Sequence, residues 1–558
     1  MRYIFVSGGV VSGLGKGVIS ASLGLLLESS GLSVTNVKVD MYLNLDAGTI
    51  RPTEHGEVFV TADGLETDQD LGNYERFLNT SLRRENYLTT GQVYKTVIDR
   101  ERSFGYNGED VEAIPHVTDE IIGRLKSAGT KNKADVVIVE LGGTVGEYQN
   151  ILFFEANRIL KLQNSDPVLH VHVSYLPVIK SLGELKSKPA QQSARVLQGM
   201  GIQPDFLIAR SEKPIDEKRR QKLALFCNLQ SSAVLSCPDV DNIYSVPSLL
   251  EEQGITKKII QKLNLKNHSV KNKLQKWVQA TTASPSGPVV TIGIIGKYFK
   301  TGGYTLKDSY VSVVEALNQA SNFLKLKINY VWIDSDTLAD PKKELKNLQG
   351  ILVPQGWGSR GVEGKIIAIK YARENKIPYL GLCFGMQMAV IEFARSVCNL
   401  KGANSLEADP KTRYPVINVM PDQIEFLKKH QYGGTIRLGS YPCKLDPNSL
   451  LAKLYKKYTT DKNSPWLSDA NIVKKKGAPN TIFERHRHRY ELNNDYRKQI
   501  EDAGLKVCGT SPDGLLVEAI ELPSHPFFLG TQFHPEYIAR PMSPHPIFLG
   551  FLEACNML

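Results

Sequence analysis

The chain has 558 residues, 42% of them hydrophobic, which is enough for packed cores in roughly two to four domains. Its seven cysteines form no CxxC pair, which excludes a disulfide framework and a zinc ribbon. A membrane-spanning helix needs about 18 or more consecutive apolar residues, and no apolar run in the sequence approaches that length. Because Met1 and Arg2 lead straight into an apolar strand, we expect no signal peptide, and a cytoplasmic protein with reduced thiols.

The formal net charge is +10, from 68 basic and 58 acidic residues. These basic residues are not gathered into an arginine-rich arm or an aromatic RNA-binding cluster. The excess therefore favours polyanionic small molecules such as nucleoside triphosphates over nucleic acid.

The first half of the chain alternates strands and helices. We predict strands at 3–6, 34–39 and 136–139 and an amphipathic helix at 18–28. Such alternation is typical of a mainly parallel sheet covered on both faces.

A Lys-, Asn- and Ser-rich stretch predicts a linker at 266–288, with a short helix around Leu274 and Trp277. The alternation then restarts with a predicted helix at 308–319 and predicted strands at 289–295, 328–333, 350–353 and 377–382. We therefore expect two doubly wound α/β domains, 1–265 and 289–558. The polar stretch 456–480 is predicted to be a surface loop.

The first predicted strand runs into the glycine-rich stretch 8–17, which precedes the first predicted helix. Glycines allow backbone N–H groups to surround a phosphate, and the helix N-terminus adds partial positive charge. Lys16 stands where a phosphate needs a cation, and Gly17 replaces the usual metal-binding hydroxyl residue. A glycine-rich turn without a ligand is the less favoured alternative.

Because Gly17 has no hydroxyl, a metal ion would need carboxylates from elsewhere. Glu140 ends an apolar strand, as the acid of a nucleotide-binding site does. From its local sequence alone, Asp70 is better interpreted as a solvated loop acid.

Segments 8–17, 54–60, 70–77 and 140–146 together resemble the synthetase domain of the CTP synthase family. The resemblance implies that ATP phosphorylates the 4-oxygen of UTP and that ammonia then displaces the phosphate. It implies Mg²⁺ bound by Asp70 and Glu140, which reverses the local interpretation of Asp70. It implies ATP contacts from Gly13, Leu14, Gly15, Lys16, Gly17, Val18, Lys38, Asp70 and Asp239, with Lys16 also catalytic.

The same resemblance implies UTP or CTP contacts from Ser12, Glu147, Tyr148, Gln149, Lys186, Ser187, Lys188, Pro189, Ala190, Gln191 and Lys222. Lys186 and Lys188 are two residues apart. On an extended segment both would point to one side, which suits a triphosphate. Without the resemblance, such a lysine pair is more often a solvated surface.

A second motif places Cys383 between Gly381 and Gly385, after a predicted strand and before a predicted helix. Glycines on both sides permit a sharp turn that exposes the sulfur near a helix N-terminus, where the thiol pKa falls. A buried structural cysteine is the less favoured alternative.

A thiol nucleophile needs a base and an acid that orients the base. His534 and Glu536 follow the apolar residues 527–529 and are separated by Pro535. Their spacing at a strand end predicts that both side chains face one way.

Together with the cysteine turn, this pair resembles the Cys–His–Glu triad of class I glutamine amidotransferases. The resemblance implies glutamine contacts from Gly356, Phe384, Gly385, Met386, Gln387, Glu407 and Arg489. His486 and His488 could form half a metal site, but no third ligand is suggested.

Both halves thus resemble the CTP synthase family, in the family's order and over nearly the whole chain. This implies Mg²⁺, ATP as co-substrate, GTP as allosteric activator and CTP as feedback inhibitor. It also implies a homotetramer with the UTP site between subunits, filaments as a further assembly, and no nucleic-acid or membrane partner.

The sequence departs from the family pattern at several positions. Residues 147–149 replace Asp-Ile-Glu, Ala190 replaces Thr, Glu112 replaces Gln, and Gln355 replaces Gly. At Gln355 we expect a backbone that would favour glycine because of a positive φ.

Two alternatives stay open at this point. These departures would suit an inactive relative that acts as a filament-forming or regulatory subunit. A glutamine-dependent ligase of the cobyrinate type would share both kinds of domain. Segments 70–77 and 186–191 favour UTP over the latter.

Overall fold

A computed structural model describes residues 1–163, 166–179, 181, 183–266, 273–282, 286–298, 300–301, 304–305, 307–420, 423–429, 431, 433–460 and 480–558. Its contacts divide into two compact units. Unit 1 comprises Met1–Leu45 and Asn73–Thr282, and unit 2 comprises Asp46–Gly72 and Ala283–Leu558. Residues 46–72 therefore cluster with unit 2, although we predicted them within 1–265. The predicted domain boundaries stay a prediction.

The strands, in chain order, are β1 (Arg2–Gly9), β2 (Val34–Asp40), β3 (Phe59–Val60), β4 (Glu66–Thr67), β5 (Tyr87–Thr89), β6 (Val136–Leu141), β7 (Val168–Tyr175), β8 (Val178–Ile179), β9 (Glu184–Leu185), β10 (Phe206–Ser211), β11 (Val234–Pro238), β12 (Val289–Gly296), β13 (Lys300–Thr301), β14 (Tyr304–Thr305), β15 (Lys327–Asp334), β16 (Gly350–Val353), β17 (Tyr379–Leu382), β18 (Asn404–Ser405), β19 (Pro415–Val419), β20 (Arg437–Leu445), β21 (Thr481–His488), β22 (Tyr490–Leu492), β23 (Lys506–Thr510), β24 (Val517–Glu521) and β25 (Phe528–Thr531).

The α-helices are α1 (Lys16–Ser29), α2 (Pro52–His55), α3 (Asp70–Leu78), α4 (Thr90–Arg102), α5 (Thr118–Lys131), α6 (Ile151–Gln163), α7 (Lys188–Gly199), α8 (Glu217–Phe226), α9 (Val246–Glu251), α10 (Ile255–Lys262), α11 (Lys273–Thr281), α12 (Val311–Leu324), α13 (Pro341–Glu344), α14 (Val362–Glu374), α15 (Phe384–Ser396), α16 (Ile424–Lys428), α17 (Leu450–Thr460), α18 (Asn494–Asp502) and α19 (Pro546–Asn556).

Unit 1 is built on a seven-stranded sheet in the order β11-β10-β7-β1-β6-β2-β5, and every pairing in it is parallel. Alternate side chains of β1 enter two different cores: Ile4 and Val6 on one face, Tyr3 and Phe5 on the other. A sheet covered on both faces explains why every residue of β2 and of β6 is buried. The predicted parallel α/β fold is confirmed.

Unit 2 contains a nine-stranded sheet in the order β15-β12-β16-β17-β25-β24-β23-β20-β21. The first five strands are parallel, and the pairings from β25 onward to β21 are antiparallel. One core contains residues of α12 and α19, and the other contains residues of α14 and α15. The parallel strands bring β16, β17 and β25 side by side, so that the segments following them meet at one edge.

The helix predicted inside the linker is confirmed as α11. Its Trp277 is buried, packs on Phe77, and donates its indole N–H to the Tyr244 carbonyl at 3.1 Å. The linker residues 267–272 and 283–285 lie outside the described residues.

The prediction of a surface loop at 456–480 is wrong at its start, because α17 continues to Thr460. Apolar residues of this helix, including Leu451 and Tyr455, pack into the core of unit 2. Residues 461–479 lie outside the described residues.

All seven cysteines are described, and all are free thiols, as predicted. In the described part of the chain, no helix is long and apolar enough to span a membrane.

Candidate functional site

The glycine-rich loop connects β1 to α1 in unit 1. Gly13 and Gly15 have φ angles of +71° and +79°, a region that side chains rarely adopt. Lys16 is the first residue of α1, and its Nζ donates to the Gly143 carbonyl at 2.8 Å. A Cβ on Gly8 would lie 2.9 Å from Cδ of Lys16, so glycine leaves room for this lysine. The glycines thus permit the loop conformation, and the assignment of phosphate to the loop stays a prediction.

Charged groups gather at the ends of β2 and β6, where Lys38 lies opposite Glu140 in the parallel register. Lys38 Nζ lies 3.4 Å from Glu140 Oε1 and 3.5 Å from Asp40 Oδ1. The Tyr74 hydroxyl donates to the other Glu140 oxygen. The sequence interpretation missed Asp40, although its position at the carboxyl end of a parallel strand could have indicated it.

Arg210, at the end of β10, was also missed. Its guanidinium donates to the Leu14 carbonyl in the glycine-rich loop at 3.2 Å and to Asp239 Oδ1 at 2.8 Å. It thereby joins two of the predicted ATP-binding residues, which are 225 positions apart in the numbering. Only the fold places Arg210 between them.

The predicted nucleotide-binding turn 147–149 follows β6. Glu147 is occupied within the turn, because its Oε1 accepts from the Thr144 N–H at 2.6 Å and from the Thr144 hydroxyl at 2.7 Å. The next two residues face outward: Tyr148 is 94% exposed, and Gln149 is exposed too. Tyr148 and Gln149 are thus the members of this set that are open to a ligand.

The expectation of an extended segment carrying Lys186 and Lys188 is wrong. Helix α7 begins at Lys188, and Pro189 stands in its first turn, where proline suits a helix. Lys188 is exposed, whereas the Lys186 ammonium pairs with Glu184 at 2.8 Å. The two lysines therefore lie on different local structures instead of one strand face.

The remaining residues predicted to bind UTP differ in their exposure to solvent. Ser12 and Lys222 are exposed, whereas Ala190 is fully buried. Gln191 donates to the Ser187 hydroxyl at 3.0 Å. Ala190 thus places a methyl group in a hydrophobic cluster beside α7, where the family pattern has a threonine with a hydroxyl.

The two predicted Mg²⁺ ligands belong to different units, Asp70 to unit 2 and Glu140 to unit 1. Among the described residues, no group of three or more His, Cys, Asp or Glu side chains is arranged for a metal ion. His486 Nδ1 lies 3.1 Å from His488 Nε2, so the two imidazoles contact each other.

In unit 2, Cys383 occupies the sharp turn between β17 and α15, with φ of +50°. A Cβ on Gly385 would lie 2.1 Å from the Val353 carbonyl oxygen, and one on Gly381 would lie 2.5 Å from the Tyr379 hydroxyl. Both glycines are therefore required for close packing beneath the turn. The strained backbone of a non-glycine residue here is typical of a nucleophile elbow.

His534 and Glu536 meet, although their local structure differs from the prediction. They follow β25, in and before a short 3₁₀ turn at Pro535–Tyr537, and are not at the end of the strand itself. His534 Nδ1 lies 2.8 Å from Glu536 Oε1, and the Tyr537 ring stacks on the imidazole with centroids 4.8 Å apart. The contact fixes the ring orientation that a general base needs.

Burial alone would lower the pKa of His534. The negative charges of Glu536 and of the Cys383 sulfur outweigh that effect and raise this pKa to about 10. The Gln532 amide donates to the Cys383 sulfur at 3.4 Å. At neutral pH the imidazole in this pocket therefore carries a positive charge.

We expect His534→Gln to slow the alkylation of Cys383 by iodoacetamide across about pH 6–8, because it removes the positive charge of His534 from the thiol pocket. The pKa of His534, about 10, keeps its imidazole protonated throughout this range, so the rate–pH profile of the parent should lie above that of the variant. Mass spectrometry of the Cys383 peptide gives the rate, and the peptide of half-buried Cys398 in the same digest is the control. Identical profiles in both proteins would contradict the assignment.

The turn after β16 borders the thiol and is held by charged side chains. Buried Lys297 donates to the carbonyls of Trp357, Gly358 and Arg360. Burial lowers the pKa of Lys297 to about 8. The sequence interpretation missed Lys297, which lies 60 positions before Trp357.

The N–H groups of this turn are held as well. Gly358 N–H donates to Glu407 Oε1 at 2.7 Å, and Trp357 N–H donates to the Tyr298 hydroxyl at 3.1 Å. Burial raises the pKa of Glu407, and the Gly358 N–H and Lys297 partly offset that rise. The turn is thus fixed from both sides.

The expectation of a positive φ at Gln355 is wrong, since the positive value in this turn belongs to Gly358, at +73°. Gln355 therefore adopts backbone that any residue can adopt. The segment does not need glycine at residue 355.

The thiol lies in a small pocket lined by residues that the sequence interpretation selected and by residues that it missed. They are Gln355, Gly356, Trp357, Cys383, Gln387, Glu407, Arg487, His488, Arg489, Tyr490 and His534. Of the predicted glutamine contacts, Gly356, Gln387, Glu407 and Arg489 are therefore brought together here.

The other three predicted glutamine contacts, Phe384, Gly385 and Met386, begin α15 beside Cys383. The side chains of Phe384 and Met386 do not line the pocket, and Gly385 has no side chain. The Lys297 ammonium lies over the Phe384 ring, 4.5 Å from the ring centroid, and Met386 is buried in the core. Only their backbone groups can meet a ligand.

A larger cavity of about 780 Å³ shares five lining residues with the thiol pocket. Its lining includes four arginines and three aromatic residues: Arg51, Arg360, Arg487, Arg489, Tyr298, Trp357 and Tyr490. Arg487 pairs with buried Glu66 at 2.8 Å, and Glu66 and Glu407 are the cavity's two carboxylates. Such a lining suits an anionic or zwitterionic ligand with a flat ring or a carboxylate.

Comparison with known proteins covers both units. Residues 2–265 match the family model for the CTP synthase N-terminus, and residues 305–554 match the model for glutamine amidotransferase class-I. A CTP synthase of Methanococcus maripaludis is 48% identical over 565 aligned residues that cover 99% of each chain.

A CTP synthase of Bacillus subtilis is 45% identical, over 99% of this chain and 98% of its own. The glutaminase domain of Trypanosoma brucei CTPS, solved with bound acivicin, is 34% identical. That match covers 48% of this chain and 94% of that domain, with a TM-score of 0.40.

Proposed function

Because this chain belongs to the CTP synthase family and forms CTP with nitrogen from glutamine, we propose which of its residues perform each step. The observation that carries the proposal is the pocket that joins Cys383 to the His534–Glu536 pair. A CTP absorbance assay with UTP, ATP and either glutamine or ammonia tests it. No CTP from either nitrogen source would contradict it.

In unit 1, ATP lies on the glycine-rich loop. The Lys16 ammonium neutralises phosphate charge as the γ-phosphoryl group moves to the 4-oxygen of UTP. Lys38 supports the phosphates from β2, and Arg210 holds the loop beside Asp239. Ammonia then adds at C4, and inorganic phosphate leaves.

In unit 1, we assign Glu140 as the carboxylate that would hold Mg²⁺ beside the ATP phosphates. A carboxylate oxygen is the hard donor that Mg²⁺ prefers, and phosphate oxygens and water would complete the shell. The bound ion would offset negative charge on the transferring phosphates. Lys38 and Tyr74 meanwhile orient the Glu140 carboxylate.

In unit 2, Glu407 and Arg489 bind the charged end of glutamine. The Cys383 thiolate forms a C–S bond to the carboxamide carbon, and the carbonyl electron pair moves to oxygen. His534 gives its proton to the leaving nitrogen, so that ammonia departs and a thioester remains. Water activated by His534 then cleaves the thioester to glutamate and restores the thiolate.

The family resemblance also implies regulation and assembly. The 780 Å³ cavity beside the thiol pocket, with its arginines, supports GTP as an activator. Exposed apolar side chains in unit 1, Ile98, Phe104 and Ile114, support association to a homotetramer that completes the UTP site. We place the protein in the cytoplasm, where its seven free thiols would stay reduced.

We expect Gln149→Glu to tighten feedback inhibition by CTP about five-fold without a parallel change in UTP affinity. A carboxylate that accepts a ribose hydroxyl contributes about 1.5–3 kcal/mol, against about 1 for an amide. Gln149 is exposed, so the new carboxylate needs no burial. Inhibition constants for CTP measure the effect.

A matched control is Gln261→Glu, which makes the same charge change at an exposed position of α10. The control should leave CTP inhibition unchanged. An inhibition constant that is unchanged or weaker in Gln149→Glu would contradict the assignment of this turn to CTP.

The comparisons give no support to an inactive or filament-only relative. Lys16, Asp70 and Glu140 are present for the synthetase reaction, and Cys383 and His534 for the glutaminase. Curated relatives of nearly equal length carry the CTP synthase name and not that of a cobyrinate ligase.

A further inference from the structure

The backbone segment 354–358 borders the thiol pocket, and most of it is held by side chains. Lys297, Tyr298 and Glu407 hold its far end, as described above. At its near end, buried Lys365 donates to the Pro354 carbonyl at 3.2 Å.

Between these points lies the peptide that joins Gln355 to Gly356. Within the described part of the chain, no hydrogen bond is recorded for the N–H or C=O group of either residue. Both residues line the pocket with Cys383. Their N–H groups are therefore available to a bound molecule, but nothing in the backbone fixes their direction.

The Gln355 side chain supplies a fixed point for this peptide. It is 9% exposed, and its Nε2 donates to Glu57 Oε1 at 2.9 Å. Glu57 is itself 3% exposed and accepts the Ser312 N–H through its other oxygen at 2.9 Å. Both carboxylate oxygens of Glu57 thus accept from donors of unit 2, the Gln355 amide and the Ser312 N–H.

The chain around Glu57 is also tied to the catalytic histidine. The Tyr537 hydroxyl donates to the carbonyl of Val58 at 2.9 Å, and the Tyr537 ring stacks on His534. Phe59 packs edge-on against the same tyrosine at 5.2 Å. Residues 57–59 therefore contact both the turn beside the thiol and the residue beneath its base.

We propose that the Gln355–Glu57 hydrogen bond positions the Gln355–Gly356 peptide so that its N–H donates to the oxyanion formed on the glutamine carboxamide. Gln355 and Glu57 are positioning residues, since neither side chain touches the reacting atoms. The Ser312 N–H holds Glu57, Glu57 holds the Gln355 side chain, and that side chain fixes the peptide. The inference rests on the proposed glutaminase function. A donor aimed at developing charge accelerates the reaction only while its direction is fixed.

The test exchanges the two partners in the full-length protein. Gln355→Glu alone sets two carboxylates against each other and should lower the glutamine-dependent kcat by at least about ten-fold. The double variant Gln355→Glu with Glu57→Gln restores one donor and one acceptor. The amide of residue 57 then donates to residue 355, and its oxygen still accepts from Ser312. We expect this exchange to recover kcat to within about three-fold of the parent.

Three further readouts separate positioning from general damage. In Gln355→Glu, the KM for glutamine, the ammonia-dependent rate of CTP formation and the iodoacetamide alkylation rate of Cys383 should all stay within about two-fold of the parent. Alkylation builds no oxyanion, so it reports the thiolate alone. Gln499→Glu, the same charge change at an exposed position of α18, should leave glutamine-dependent kcat unchanged.

An unchanged glutamine-dependent kcat in Gln355→Glu would overturn the inference. So would a double variant as slow as the single one, or an alkylation rate that falls together with kcat. If the parent protein itself releases no glutamate from glutamine, the proposed glutaminase function fails, and this inference fails with it.

Discussion

Replacing Cys383 by alanine is expected to abolish glutamine-dependent CTP formation and to leave ammonia-dependent formation intact. Removal of a nucleophile at the centre of a catalytic triad lowers kcat by a factor of about 10⁴ or more. The thiol lies in unit 2, whereas Lys16 and Glu140 belong to unit 1. Ammonia supplied directly makes the thioester step unnecessary, so the synthetase reaction should continue.

CTP absorbance with saturating glutamine, and separately with ammonium chloride, measures both activities. Cys398→Ala is the matched control, because Cys398 is a half-buried thiol at the C-terminal side of α15. It should retain both activities. Loss of ammonia-dependent activity in a folded Cys383→Ala protein would contradict the division between the two reactions.

Replacing Lys16 by alanine should lower CTP formation by about 10²–10³ with either nitrogen source. Its ammonium lies at the N-terminus of α1 and is held by the Gly143 carbonyl at 2.8 Å. Loss of this charge removes stabilisation of the phosphates during phosphoryl transfer, a step that precedes both nitrogen sources. Glutamine hydrolysis in unit 2 does not require that lysine.

Lys131→Ala is the control for Lys16→Ala, because Lys131 is an exposed lysine at the end of α5 in the same unit. It should leave the rate unchanged. A near-normal ammonia-dependent rate in Lys16→Ala would contradict the assignment of the glycine-rich loop to ATP.

The parts of both sites that the sequence predicted are those built from residues close together in the chain. The loop before α1 and the turn at Cys383 each combine a strand, glycines and a helix within about a dozen residues. Local backbone geometry determines both, so their sequence patterns are informative. The contact between His534 and Glu536 is local for the same reason.

The missed residues act across long stretches of chain. Lys297 reaches the turn at Trp357, and Arg487 reaches Glu66, more than 400 positions away. A buried lysine or arginine has no local pattern that distinguishes it from an exposed one. Its partner becomes visible only when the sheet order is known.

The wrong expectation at Lys186 and Lys188 has a specific cause. A two-residue spacing was interpreted as one face of an extended segment, but Pro189 follows and favours the first turn of a helix. The proline was the stronger signal. At Gln355, the family's glycine suggested a positive φ, although that conformation falls on Gly358 three positions later.

The measurement that tests the central claim most directly follows nitrogen from glutamine into CTP. The parent protein is incubated with UTP, ATP, Mg²⁺ and glutamine labelled with ¹⁵N at the amide, and the products are analysed by mass spectrometry. Coupling of the Cys383 site to the synthetase site predicts CTP with one ¹⁵N at its exocyclic amine and one glutamate for each CTP. Glutamate released without labelled CTP, or no glutamate at all, would contradict the account.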